Sequence, residues 1–210
     1  MPEYQLMLPP GWEADASVVA QVEWRRAAAA SAGLTRELER LRFEWRRPGA
    51  VPPPADGRLR FGPASDEVFR ELFASVAVGS LDDFTQRDVA RCGISEHARE
   101  TLDYYRSLPG NRSWWRVART AEGQLAGFVI PSANDGGPVV GYLGVLPALR
   151  GHGLADELVA EATRSHAARG ADRVRADTDS LNAPMAAAFL RAGYRVTAAR
   201  LVLSARGGEG

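Results

Sequence analysis

Residues 139–155 read VVGYLGVLPALRGHGLA. Val139 to Leu146 form an almost unbroken apolar run, which predicts a central strand covered on both faces. From Gly153 to Arg169 the apolar residues recur at helical spacing. Between strand and helix, Arg150-Gly151-His152-Gly153 makes a tight turn with two glycines. Such a turn offers several backbone N–H groups with no side chain in the way, and the helix dipole favours an anion beside them. Arg150 adds a positive charge, so the chemistry this turn suits is a phosphate or pyrophosphate. A metal is not expected, because His152 has no second ligand at a useful spacing. The plain alternative is a strand-to-helix connection in which glycine only supplies tight geometry.

Working outward, Arg173 to Thr178 reads as a strand, Pro184 to Arg191 as a helix and Tyr194 to Ser204 as a last strand. Upstream, Arg58 to Phe61 alternates like a strand, and Ser65-Asp66-Glu67 opens a helix with carboxylates near its positive end. A second helix is expected from Ser95 to Leu108. Trp114–Arg119 and Gln124–Pro131 flank Glu122-Gly123 as a hairpin, and SANDGGP follows as a loop. The stretch VGSLDDFTQRDVARCGIS, residues 78–95, shows no legible pattern. Of Trp114 and Trp115, neighbours on one strand, at most one faces a pocket.

Near the N-terminus, Val18, Val22, Leu34, Leu38, Leu41 and Trp45 fall at helical spacing, so residues 13–47 are expected to be helical, with Gly33 as a break. The charges of RELERLRFEWRR then read as a solvated helix face with intrahelical pairs. Pro48 stops the helix, and RPGAVPPPADG reads as a linker. The expected division is a helical extension at 1–47, a Pro-rich linker at 48–57, a main domain at 58–204 and a tail at 205–210.

The 210 residues balance 26 basic against 26 acidic side chains, and every basic one is Arg. Zero net charge provides no long-range field for nucleic acid or an anionic membrane, so neither is expected as a partner. One cysteine, Cys92, excludes an intrachain disulfide and suits a reducing compartment. The first residues show no signal-peptide pattern and no run reaches membrane-spanning length, so the expectation is a soluble, cytoplasmic protein. GHGLAD also resembles part of a dinucleotide fingerprint, Gly-x-Gly-x-x-Gly, with Asp172 and Asp177 about twenty residues on. Its third glycine is missing, and the turn follows a hairpin instead of opening a βαβ unit.

Arg150 to Ala155 matches the Gln/Arg-x-x-Gly-x-Gly/Ala motif of the GCN5-related N-acetyltransferase (GNAT) family. About thirty residues later, NAPMAAAFLRAGY at 182–194 resembles that family's second motif, an Asn after a strand, a short helix, then Gly-aromatic. The element order from residue 58 onward also matches. The resemblance implies an α/β (α+β) fold with a mixed, mostly antiparallel sheet flanked by helices. It covers residues 58–204; the extension lies outside it.

The resemblance further implies that the amides of Arg150, Gly151, His152, Gly153, Leu154 and Ala155 hold the pyrophosphate of acetyl-CoA. Leu143, Gly144 and Val145 are expected to pair with its pantetheine arm and polarise the acetyl carbonyl. Asn182 matches the Asn that contacts the cofactor, and no metal is expected. The acceptor implied is an amine of a small molecule or peptide, attacked directly in a ternary complex, and a homodimer is the assembly to look for. Where the family commonly has a Tyr acid, this chain has Phe189, which cannot donate a proton. A thiol pKa of about 8.5 still lets thiolate leave with little help. Tyr142 is the substitute acid to examine, and Asp177 and Asp179 are the candidate bases, on one side of their strand. Phe189 also leaves open a catalytically weak acyl-CoA-binding or regulatory module of the same fold.

Overall fold

A computed structural model describes residues 3–47, 50–52 and 58–205. Strand β1 (Glu3–Leu8), helix α1 (Ala16–Ser31) and strand β2 (Arg36–Arg46) come first, then β3 (Leu59–Gly62). Helices α2 (Asp66–Ala77), α3 (Asp83–Cys92) and α4 (Ile94–Ser107) follow. Next come β4 (Arg116–Thr120), β5 (Leu125–Asn134) and β6 (Gly137–Val145). Helix α5 (Leu154–Ala168), β7 (Arg173–Asp179), α6 (Ala183–Arg191) and β8 (Arg195–Ser204) complete the chain. Residues 48–49 and 53–57 of the expected linker, and 206–210 of the expected tail, lie outside the described residues.

The expected helix over 13–47 is corrected to a strand, a helix and a second strand. Asp15 caps α1 by accepting from the amides of Ser17 and Val18. Gly33, at φ +82°, ends it: the Gly33 amide bonds to the Ala30 carbonyl and the Leu34 amide to Ala29, the paired bonds of a Schellman cap. Beyond that stop, a second period wins. Leu41, Phe43 and Trp45 alternate with Arg40, Arg42 and Glu44, and Phe43 and Trp45 are fully buried. The charges expected on a solvated helix face are cross-strand partners instead. Arg40 stands opposite Asp179, and Arg42 opposite Asp177.

The unread stretch holds α3. Its signals are polar: Asp82 caps it by accepting from the Thr85 amide, and Gly93 closes it. Within α3 only Thr85 is buried, so no apolar stripe marked it. Most of the expected loop SANDGGP is strand, because β5 and β6 run to Asn134 and from Gly137.

Among the described residues the eight strands form one sheet in the order β1-β8-β2-β7-β6-β5-β4-β3. Every pairing is antiparallel except that of β6 with β7. The units β1-α1-β2 and β7-α6-β8 interleave, each inserting its second strand between the two strands of the other. Arg40 and Arg200 face each other where the units meet. Helices α5 and α6 cover the face carrying Phe43, Trp45 and Val129. Helix α1 continues that layer over Leu6, Ala199 and Leu201. On the other face α2 and α4 bury Phe69, Phe73, Trp115 and Phe128.

Removing residues 1–47 deletes β1 and β2 from this order and bares one edge of β7 and both edges of β8. Bare edges invite pairing with another chain. Such a truncation is expected to aggregate or to dimerise by strand exchange, and to melt below the parent. Light scattering after size exclusion reads this; a monomer as stable as the parent contradicts it.

Candidate active site

Strands β6 and β7 share a single bridge among the described residues, Val139 with Arg175, and then diverge. The vertex of this V is pinned from α5. His166 Nε2 donates to the Val139 carbonyl at 2.9 Å, and its Nδ1 accepts from Arg169 at 3.4 Å. Both ring nitrogens are satisfied in the neutral form, and burial holds the pKa down to about 4. On the other side of β6, pairing passes from Ile130–Tyr142 to Pro131–Val140. Gly141 is left over as a β-bulge, and its carbonyl accepts from the Tyr105 hydroxyl at 2.8 Å.

The V opens into a cleft of about 1140 Å³. Tyr142, Leu143, Gly144 and Val145 line it from β6, with Asn182 and Phe189 from the α6 side. Arg150, Gly151, Gly153, Leu154 and Ala155 close its end. Two motifs separated in sequence are thus brought together. His152 does not line the cleft; its carbonyl accepts from Arg58. Gly151 and Gly153 have φ +84° and +72°, a conformation other residues rarely adopt. Gly153 gives α5 no side-chain cap. Among the described residues, no acceptor stands against the amides of Gly151 to Ala155. These are the orphan donors of a helix start.

Arg150 is placed differently from its expected role. Its guanidinium donates to the carbonyls of Val76, in the last turn of α2, of Val78 and Gly79 just past it, and of Val145. Its amide is taken by Pro147. The residue bolts the end of α2 to the turn, with its charge where a helix C-terminus favours a cation.

The candidate acid and bases are all engaged. Tyr142 stacks on Phe73 and Tyr105, its hydroxyl exchanges a hydrogen bond with Thr85, and burial pushes its pKa up. A phenol so shifted keeps its proton and gives it up less readily. Asp177 and Asp179 do face one side, as expected, but guanidinium groups hold both. Asp177 makes two bonds to Arg42, at 3.0 and 3.2 Å, and pairs with Arg200. Asp179 accepts from Arg40 and from the Asp83 amide, each at 2.6 Å. Burial raises the Asp179 carboxyl, opposed by that amide and by Arg40. Phe189 stacks on Phe43 and packs at a tilt against Tyr194. Trp115 is core and Trp114 lies under Arg169, so neither lines the cleft. His97, on α4, does line it and was missed.

Residues 82–194, more than half of the chain, match the model of the acetyltransferase (GNAT) family. The chain belongs to this family. The GNAT resemblance drawn from the two motifs therefore holds, as does the mixed, mostly antiparallel fold. A curated relative, the mycothiol acetyltransferase of Clavibacter michiganensis subsp. michiganensis, is 39% identical over 79 residues. That match covers 38% of this chain and 26% of the relative, so the chain corresponds to about a quarter of it. A GCN5-related N-acetyltransferase from Sphaerobacter thermophilus superposes with a TM-score of 0.59 at 16% identity, over 98% of this chain and 61% of that one. A tandem GNAT protein from the clavulanic acid biosynthesis pathway gives 0.58 at 18%, over 99% and 65%. At these identities the structural likeness speaks for the GNAT fold alone.

Two predictions follow the side chains. Arg150→Ala should cost about 1–2 kcal/mol, because partly exposed bonds to carbonyls are lost, and lower the melting temperature by several degrees. For His166, the folded pKa lies below the unfolded value, so its contribution is present above pH 6.5 and is lost as pH falls toward 4. Between pH 6.5 and 4.5 the parent should lose about 2–3 kcal/mol more stability than His166→Gln, which keeps a donor for Val139 without titrating. Equal losses in urea unfolding would contradict the His166 assignment.

Proposed function

We propose that the chain is an acetyl-CoA-dependent N-acetyltransferase acting on a primary amine of a small molecule or peptide in a ternary complex. The observation that carries this reading is the V between β6 and β7, ending in five unengaged amides at the start of α5. Those amides suit a pyrophosphate, and the free edge of β6 suits an extended arm that adds as a strand. When bound, acetyl-CoA supplies an acyl thioester. The β6 amides near Leu143, Gly144 and Val145 stabilise negative charge growing on its carbonyl oxygen. Asn182 caps α6 through the Met185 amide and faces the same cleft. Phe189 supplies no proton, and a leaving group of pKa about 8.5 needs little help. Tyr142 acts here as a fixed hydrogen-bonding wall. These residues fall within 58–204, the unit we assign to catalysis, while β2 contributes Arg40 to the cleft. Among the described residues no helix is long and apolar enough to cross a membrane.

A second reading is an acyl-CoA-binding module without useful turnover. Phe189 and the arginine-held Asp177 and Asp179 favour it. Thermal-shift titration opens the test. A ligand at a hundred times its Kd adds about 2.7 kcal/mol to the native state. Acetyl-CoA and CoA are expected to stabilise the fold, and NAD is not. Gly153→Val should weaken CoA binding about tenfold or more, since its side chain projects into open space at the turn, where the pyrophosphate is proposed to approach. Its positive φ costs the fold roughly 1–2 kcal/mol as well. Unchanged CoA affinity in folded Gly153→Val sinks the placement, and CoA binding without transfer to any amine favours the module.

A further inference from the structure

One wall of the cleft has no task in that scheme. Helices α3 and α4 bring Asp88, His97 and Glu100 to it. His97 is only 5% exposed, and its Nε2 has no hydrogen-bond partner among the described residues. Leaving such a buried polar atom unpaired costs about 1–3 kcal/mol, a cost that a ligand can offset. Burial lowers the His97 pKa from 6.5; Arg91 lowers it further, while Asp82, Asp88 and Glu100 oppose the shift. The ring is neutral at pH 7 and has a lone pair to offer.

The charges around it do not balance. Asp88 and Glu100 share one guanidinium, that of Arg91. Asp82 is already committed to Arg40 and to the Thr85 amide. Two carboxylates thus meet one cation there, with the Asp88 and Glu100 side chains 49% and 40% exposed. A second positive charge on the acceptor would give them another partner.

Resting on the acetyltransferase reading, we propose that this wall is the acceptor subsite for a primary amine bearing a second positive charge, with His97 receiving the proton of the attacking nitrogen. The distal ammonium lies against Asp88 and Glu100, and the reacting amine faces β6. The reacting amine first releases its ammonium proton to solvent, and the freed nitrogen lone pair then forms the N–C bond to the acetyl carbon. The C–S bond breaks and its electron pair leaves on sulfur. The proton passes from nitrogen to His97 and then to the thiolate, which departs as the thiol.

The test uses the full chain and three four-carbon amines: butane-1,4-diamine, butan-1-amine and 4-aminobutanoate. Turnover of acetyl-CoA is expected to favour the diamine over 4-aminobutanoate by about tenfold or more in kcat/KM. The Asp88→Asn/Glu100→Gln double variant should collapse that ratio toward one. His97→Gln should lower kcat by about 10²-fold with little change in the KM of the diamine, and lose the acid limb of the pH profile that lies below 6.5. Calorimetry on the CoA-saturated protein gives a readout without turnover: the diamine binds the parent and binds the double variant about tenfold more weakly. CoA binding by each variant shows that its fold is intact. Equal rates with all three amines, undiminished kcat in folded His97→Gln, or CoA binding with no amine turned over each overturn the proposal. Failure of the parent to bind CoA overturns the acetyl-CoA reading itself, and the proposal with it.

Discussion

The cleft exists because β6 and β7 touch at one bridge and no further. A fully paired parallel ladder there would satisfy the backbone and leave no opening. Divergence leaves polar groups on the edge of β6, and such groups call for a partner. The vertex must therefore be held by something other than a ladder. His166 holds it, from the helix whose start forms the glycine turn. Helix α5 thus sets both ends of the cleft, its C-terminal turn at the vertex and its N-terminal turn at the mouth.

The arginines of β2 are the second constraint. Asp177 and Asp179, placed side by side on β7, would repel each other and suffer from burial if left alone. Directly opposite, Arg42 and Arg40 cancel both charges. Removing one partner of such a buried pair strands the other, which is why the arrangement is costly to break though modest in net stabilisation. The same pairing turns two apparent bases into scaffolding, and Arg40, on the cleft wall, ties β7 to Asp82 at the start of α3. The N-terminal segment is therefore part of the wall, and no appendage to it.

Much of this was legible in the residues. VVGYLGVL, the glycine turn and NAPMAAAFLRAGY carry local signals whose meaning does not depend on the rest of the chain: an apolar run, two glycines, an N-cap. RELERLRFEWRR does not. Leu34, Leu38, Leu41 and Trp45 fit a helix, while Leu41, Phe43 and Trp45 fit a strand, and only the vacancy between β7 and β8 decides. Helix α3 escaped because its caps are strong and its apolar face is thin. The role of Arg150 escaped because three of its four carbonyl partners, Val76, Val78 and Gly79, lie more than seventy residues away. For His97, a lone histidine amid polar residues gave no signal beyond its presence; burial and the missing partner of Nε2 appear only in three dimensions.

The interleaving of β1-α1-β2 with β7-α6-β8 has a consequence for how the chain reaches this state. Arg40 and Asp179 are 139 residues apart in sequence. Strand β2 leaves the ribosome well before either of its neighbours in the sheet, β7 and β8. Until they arrive, Leu41, Phe43 and Trp45 have nothing of the sheet to lie in. Pairings this distant are slow to form, and an exposed, waiting strand is prone to wrong partners. The central strand of one half of the sheet is therefore the last to be secured, and the alternating arginines along it help keep it soluble in the interval.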